Sequence, residues 1–484
     1  MGYIKGEDRN QTILFPESID EYVSNNNSVR IIDEYVNQLN LKSLHFNRAV
    51  TPSIGRPPYH PKDMLKLYLY GYLNRIRSSR RLEQEALRNL EVIWLLRKLK
   101  PDFKTIADFR KDNKRALKKV FRDFTKLCDE WGLFGKELIA IDGSKFRACN
   151  SKKNNYNSKK LKRNLKYLNK KIEGYLNELD NQDKLESPDR KPDAKEIAER
   201  IKQLKDRKEK YEKYQKKLEE SSETELSITD PDSRLMGNNN HVEVCYNVQT
   251  TVDAKHKLIA DFKVTKNPND QGQLAPMVLR AKRLFGKTFE VVADKGYYQA
   301  LDLQKCTKEG ITLYVSKQTY ANVTGDRAFY SDKFKYNKSK NTYLCPAGFE
   351  LSSSRARKQA GKIIGYEYHN FAACKDCKFR ARCTRSKKGR YIFRQIGQDL
   401  LDHIDAQTKK NSEKYKLRQM IVEHPFGTIK RGWGAYYFLT KRKVSVSTEA
   451  SLSFLAYNFK RVINILGTEE ILRRLRQRRE VVLA

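Results

Sequence analysis

Acid is heavily outnumbered by base in this chain. Its 484 residues hold 59 Asp and Glu against 98 Lys and Arg, a formal charge of +39, and the sequence pI is about 9.7. Such a balance argues against a basic or cationic partner and points to a polyanion. The plainer alternative, a merely soluble cationic protein, fits less well, because basic residues recur in nearly every segment and are interleaved with 27 Tyr. Aromatic faces beside cations suit bases and sugar-phosphate together. Long apolar runs are also missing. No stretch reaches the roughly 18 residues that a membrane-spanning helix needs. The segment Met1 to Asn10 is polar and lacks the apolar centre of a signal peptide, so a cytoplasmic protein is expected. Cysteine is sparse too, at eight residues. Four of them fall in one cluster, which favours metal binding in a reducing compartment over a disulfide framework.

What is present divides by period. Around Val29 to Leu41 a short amphipathic segment appears. From Pro61 the spacing of Met64, Leu65, Tyr68, Leu69 and Tyr72 predicts a helix with one apolar face. Ser78-Ser79 offers an N-cap to a second helix through Leu82, Ala86 and Leu87. Thr105 and Asp108 have capping-box form and open a third helix, running through Phe109 to Phe121. Arg75, Arg77, Arg80, Arg81 and Arg110 near these ends suggest a helical DNA-binding domain; a bundle with a solvated basic face fits the periodicity equally well. Between Asn150 and Glu223, Lys, Glu, Asn and Gln dominate, while Leu161, Leu165, Leu168, Ile172, Leu176 and Leu179 recur at helical intervals. With a break at Ser187-Pro188-Asp189, this reads as an αα-hairpin. Such a hairpin is more often an interaction arm than a catalytic element, and its Lys-rich faces could track a DNA backbone. From His241 the period becomes two, through Val242, Val244, Tyr246 and Val248, and a β-hairpin is expected. Helices and strands then alternate to Val315, and Leu452 to Arg479 reads as helical with a strongly basic end.

Three separate segments each deliver one acidic residue. Leu138-Ile139-Ala140-Ile141 ends in Asp142-Gly143-Ser144-Lys145, and Val291-Val292-Ala293 ends in Asp294-Lys295-Gly296-Tyr297. Glu423 lies in a segment that reads as helical. Two strand-end aspartates and a helix glutamate can converge on a pair of divalent cations ~3.5–4 Å apart, the arrangement that serves phosphodiester chemistry. Oxygen-only ligands suit Mg²⁺, with Mn²⁺ as a substitute. A strand-end Asp is more often a turn or cap residue, and Asp230, Asp232, Asp253 and Asp261 are read that way. Asp230 and Asp232, either side of Pro231, stand as rivals for the metal. Lys430, seven residues after Glu423, is expected on the same helix face, although Pro425 interrupts the backbone hydrogen bonding.

Cys345, Cys374, Cys377 and Cys383 give the sharpest local pattern. Cys374-Lys375-Asp376-Cys377 has metal-knuckle spacing, and Cys345-Pro346-Ala347-Gly348 supplies a tight turn. Four thiolates with no open position describe a structural Zn²⁺ site. A redox CxxC, unliganded thiols, or His369 in place of one Cys are the alternatives.

Taken together, these residues resemble a DDE-type transposase of bacterial insertion sequences, closest to the insertion-sequence family numbered eleven eighty-two. The match is carried by Pro57-Pro58-Tyr59-His60-Pro61 with Leu65 to Tyr72, Thr105 to Arg110, Asp142-Gly143-Ser144-Lys145, Thr229-Asp230-Pro231-Asp232, Gly296-Tyr297 after Asp294, and Glu423-His424-Pro425-Phe426-Gly427. It spans roughly residues 45 to 460. The resemblance implies an α/β, ribonuclease-H-like catalytic core, two Mg²⁺ ions, and Asp142, Asp294 and Glu423 as catalytic triad. It also implies double-stranded DNA as partner, at terminal inverted repeats and target, with a homodimer as the active complex on the bacterial nucleoid. Metal-bound water would free a 3′-hydroxyl that then attacks target DNA. Related transposases carry Tyr-x2-Arg-x3-Glu-x6-Lys; here Tyr415-x2-Arg418 and Glu423-x6-Lys430 hold, with one extra residue between Arg418 and Glu423. Lys145, Tyr415, Arg418, Lys430 and Arg431 are the DNA-contacting candidates. The expected organisation is a helical DNA-binding domain over 1–130, a core over 131–149 and 224–320, a helical-hairpin insert over 150–223, a zinc-binding insert over 321–400, and a C-terminal helical part over 401–484. A catalytically inactive DNA-binding regulator and a nuclease without strand transfer are the rival functions.

Overall fold

The computed structural model describes residues 18–50, 57–183, 194–238, 241–318, 321–359 and 361–483. The chain divides into two units, and each is interrupted by the other: one holds Met1–Phe134, Pro425–Ala435 and Val444–Ala484, and the second holds Gly135–His424 and Tyr436–Lys443.

In its described residues the first unit is helical. Pro61 occupies the first turn of helix Pro61–Leu73, where its missing N–H is harmless, and the His60 ring caps the N–H of Lys62. The second expected helix runs Ser79–Arg88. The third differs from expectation. Asp102, not Thr105, is the cap, accepting from the N–H groups of Lys104 and Thr105 at 2.9 Å each. That helix stops at Asp112, and a new one runs Lys114–Glu130. Asn113 makes the break: its amide donates back to the Phe109 carbonyl, and its side-chain oxygen accepts from the Asn47 N–H, a local alternative to helical bonding. Leu452 to Arg479 is likewise two helices, Lys443–Leu466 and Thr468–Leu483, separated by Gly467 at a φ of +76°. Tyr35, Phe124 and Phe459 form an aromatic centre, with the Phe124 and Phe459 rings stacked 4.1 Å apart. Part of the expected basic face turns inward: Arg77 pairs with buried Glu449 at 3.6 Å, and Arg110 lies over the Tyr68 ring.

The second unit is built on strands β1 (Leu138–Arg147), β2 (Asn155–Asn157), β3 (Glu225–Ser227), β4 (Arg234–Asn238), β5 (His241–Asp253), β6 (Ile259–Thr265), β7 (Glu290–Ala293) and β8 (Thr312–Val315). Its main sheet has the order β4-β5-β1-β7-β8, with β6 also pairing β5. β5 is antiparallel to β1 and β6, whereas β1, β7 and β8 are parallel. Helices Leu274–Phe285 and Ala300–Lys308 make the crossovers into β7 and β8, as parallel pairing requires. The continuous apolar runs of β1 and β7 fit strands covered on both faces, and Ile139 to Ile141 and Val291 to Ala293 are fully buried. The order is consistent with a ribonuclease-H-like core. Asp230 is buried and structural: its carboxylate accepts from the Tyr246 hydroxyl at 2.7 Å and from the Arg442 N–H at 2.9 Å. Asp232 accepts from the Lys443 N–H. Asp253 binds the N–H groups of Gly135, Lys136 and Lys255, and Asp261 pairs with Arg280.

Two excursions leave this sheet. The first is the helical hairpin, Ser158–Asp183 and Ala194–Glu219, rooted on β2 and β3. Leu161, Leu168, Tyr211 and Leu218 pack between its helices, while its expected break at Ser187-Pro188-Asp189 lies outside the described residues. The second is a five-stranded antiparallel sheet in the order β13-β12-β11-β10-β9. Its strands are β9 (Lys335–Asn337), β10 (Thr342–Leu344), β11 (Glu350–Gln359), β12 (Lys362–His369) and β13 (Tyr391–Gln395). Phe334, Tyr343, Leu351, Tyr368 and Ile392 form its core, with Cys345 and Cys383 against them. Among the described residues no helix is long and apolar enough to cross a membrane.

Candidate catalytic site and cysteine cluster

The parallel register of β1 and β7 pairs Ile141 with Ala293. Asp142 and Asp294 are the next residues on, so the two stand side by side. Asp294 follows the end of β7, but Asp142 lies within β1, which continues to Arg147 paired with β5, and is not the strand-end residue the sequence suggests. Burial pushes the Asp142 carboxyl up to about 7; Arg418 and the Gly143 N–H oppose that rise, and Asp270 and Asp294 add to it. The Arg418 guanidinium stands 3.6 Å from the Asp294 carboxylate and over the ring of Tyr415. Through Arg418, helix Ser412–Phe426 is tied to the end of β7.

Asp270 is a carboxylate of this site that sequence reasoning missed. It lies in the loop after β6, in an Asn-Pro-Asn-Asp stretch that reads as an ordinary turn. One of its oxygens accepts from the Asn247 amide at 2.8 Å and the Gln249 amide at 2.7 Å, with the Lys145 ammonium 3.7 Å away. Asn247 and Gln249 are fully buried on β5, opposite Lys145 and Gly143 of β1. Gln249 in turn accepts from the Tyr297 hydroxyl. Burial, reinforced by Asp270, Asp142 and Asp294, keeps that hydroxyl protonated well beyond its usual range. Gly143 is required here by space. A Cβ would meet the Gln249 amide in a clash and stand 2.5 Å from the Asp270 oxygen.

Glu423 behaves differently. It is exposed, and its carboxylate accepts from the Gln419 amide one turn earlier, at 2.8 Å. Five residues separate it from Arg418, about 140° around an α-helix, so the residue that reaches Asp294 is Arg418. Among the described residues no three His, Cys, Asp or Glu side chains stand as a ready metal-holding group. Beyond Phe426 the backbone widens into a π-helix, Gly427–Gly432. The seven-residue face rule consequently does not carry through to Lys430, which is half-buried, while Arg431 is exposed. Lys145, half-buried, faces Asp270 rather than open solvent.

The four clustered cysteines line one pocket with Phe329, Phe334, Phe349 and Leu351. The Cys345 turn forms as expected: Gly348 takes a φ of +88°, and the Phe349 N–H donates to the Cys345 sulfur at 3.4 Å. Gly389, at a φ of +115°, has no room for a side chain, since a Cβ would stand 2.7 Å from that of Cys374. All four are free thiols. Burial pushes Cys383 up to about 11, with Cys374, Cys345 and Cys377 contributing. His369 stacks on Phe371 at 3.7 Å.

A mixed α/β sheet that sets two carboxylates side by side on neighbouring parallel strands offers the paired oxygen ligands that metal-assisted phosphoryl transfer uses. Comparison with known families makes the class specific. Residues 17–112 match the family model described as Transposase domain (DUF772). Residues 344–463 match the one described as Transposase DDE domain; that segment holds Glu423 and the four cysteines, while Asp142 and Asp294 lie before it. The chain thus carries two transposase domain matches, and together they support a DDE-type transposase of insertion sequences. No curated protein and no solved structure matches it significantly.

Proposed function

We propose that Asp142, Asp294 and Glu423 are the acids with which this transposase cuts DNA at the ends of its element and joins the freed 3′-hydroxyl to target DNA, on a ribonuclease-H-like core. The observation that carries the reading is the register that sets Asp142 beside Asp294 at one edge of a parallel pair. The donor set suits a hard cation: all oxygen, with Asp142 held up near 7 chiefly by burial, a cost that a bound cation relieves. Mg²⁺ or Mn²⁺ bound there supplies activation of the attacking oxygen and stabilisation of the leaving one. Asp142 and Asp294 would hold the cations, Glu423, exposed beside Gln419 in this structure, would be the third acid supplied from the helix, and Arg418 balances charge beside Asp294. Tyr297, Gln249 and Asp270 fix the floor, and the N-terminal helices, Tyr415, Lys145, Lys430 and Arg431 bind DNA. Two copies of the chain work together on paired ends.

The test is cleavage and strand transfer on labelled element ends by Asp142→Asn, Asp294→Asn and Glu423→Gln. Each keeps shape but loses a charge, so cleavage is lost while DNA binding persists. Normal turnover by all three ends the assignment. Cleavage without joining by the wild type identifies a nuclease.

The cysteines belong to a structural role in the same reading. Cys345, Cys374, Cys377 and Cys383 hold one Zn²⁺, which four thiolates close completely. What supports this is their common pocket and the Cys383 thiol pushed up chiefly by burial, which a dication relieves.

A further inference from the structure

The helical hairpin takes no part in the acidic site, and its two helices carry charge in different ways. Along Ala194–Glu219 basic and acidic residues are intermixed and pair within the helix: Arg200 with Glu196 at 2.6 Å, Lys208 with Glu212 at 3.9 Å, Lys213 with Glu209 at 2.5 Å. The first helix begins otherwise. From Ser158 to Lys171 it contains Lys and Arg but not one Asp or Glu. At 100° per residue, Lys159, Lys162, Arg163, Lys166 and Lys170 fall on one face. All five are exposed, and that face is opposite the buried Leu161, Leu168 and Ile172. It extends for about 16 Å. Tyr167 stands exposed at its margin with the Lys171 ammonium over its ring. Beyond Lys171 the sign changes, with Glu173 the next charge on that face. Lys160 is separate: its ammonium binds the carbonyls of Lys152, Lys153 and Asn155 and anchors the hairpin's root.

A solvated helix face in a monomeric arm gains by mixing signs, since like charges at i,i+4 repel. This face keeps that repulsion through its whole first half, while the second helix of the same hairpin removes it. We infer that the face of Lys159, Lys162, Arg163, Lys166 and Lys170 is a DNA-backbone contact. It tracks the phosphates beyond the reacting strand, and Tyr167 packs against sugars at its edge. Duplex DNA presents one phosphate per roughly 1.7 Å of axis, counting both strands, so a 16 Å face meets several at once. This inference rests on the transposase reading above.

The experiment measures the affinity of the full-length protein for a labelled random-sequence duplex across a salt series. Three proteins are compared: wild type, Lys162→Gln/Arg163→Gln/Lys166→Gln, and a control, Arg200→Gln/Lys208→Gln/Lys213→Gln, which removes the same charge from cations already paired. Every phosphate that a variant no longer neutralises lowers the slope of log affinity against log salt by about 0.9. The face variant is therefore expected to show a slope shallower by about 2 to 3, and the control almost no change. A face variant with the wild-type slope overturns the proposal, and so do equal reductions in both variants, which reflect bulk charge alone. A face variant that changes only self-association, read by sedimentation, shows the face to be a protein contact and overturns it too. A flat salt plot for wild type itself counts against the DNA reading of the chain instead.

Discussion

Asp142→Asn should make the metal-free protein more stable, and the gain should depend on pH. The wild-type carboxyl is moved by burial from its ordinary 3.8 to about 7. At 1.36 kcal/mol for each tenfold change in acidity, a folded state forced to ionise it loses about 4 kcal/mol, and partial access of water to the half-buried side chain brings this nearer about 2 kcal/mol. The direction follows from proton linkage. The folded state keeps a proton that the unfolded chain releases, so wild-type stability falls as pH rises from about 4, and the loss is complete above about 7. An amide at this position carries no such loss. Urea unfolding of both proteins in a chelating buffer is the assay. At pH 8 the variant should be more stable by about 2 to 4 kcal/mol, and by pH 4 the two should converge. Adding Mg²⁺ should then stabilise the wild type and leave the variant unmoved. A variant no more stable than wild type at pH 8 refutes the argument that burial disfavours the ionised carboxylate at this position.

Gly143→Ala places a Cβ 2.5 Å from the Asp270 carboxylate and harder still against Gln249; it should lower stability by about 1 to 3 kcal/mol and abolish cleavage, and an unchanged unfolding midpoint contradicts the tight packing. Cys374→Ser/Cys377→Ser should lose stoichiometric zinc by elemental analysis of protein purified without chelator, with cleavage lost as the 321–400 segment unfolds; wild type that is metal-free, folded and active rules the site out. Gly389→Ala, aimed at the Cys374 side chain, should reduce zinc content without removing any thiol.

Much of the catalytic edge was legible from local pattern. Ile139 to Ile141 and Val291 to Ala293 read as buried strands because their residues are apolar on both faces, and an acid after each was visible without knowing the fold. That the two strands are neighbours is seen only in their parallel register. Asp270 was not legible, because its meaning comes from Asn247 and Gln249 on another strand, and only β-register shows that they face Gly143 and Lys145. Helix ends failed where a side chain competed with the backbone: the Asn113 amide ends a helix that apolar periodicity runs straight through. Glu423 was legible as a helix residue, but not its exposed rotamer beside Gln419. Pro425 signalled an irregular backbone, yet the π-helical form it leads into has no signature in spacing alone.

The aromatic centre of the first unit has a consequence for how the protein is made. Tyr35 and Phe124 leave the ribosome early, but Phe459, which packs against both, emerges only after the whole run from Gly135 to His424 has been translated. The main sheet of the second unit is complete once β8 has appeared, so it can assemble while the N-terminal helices still show an uncovered apolar flank. Birth order and folding order are therefore reversed: the part synthesised first is finished last. A product of interrupted translation that stops before Phe459 lacks the third ring of that centre and so cannot complete the N-terminal unit.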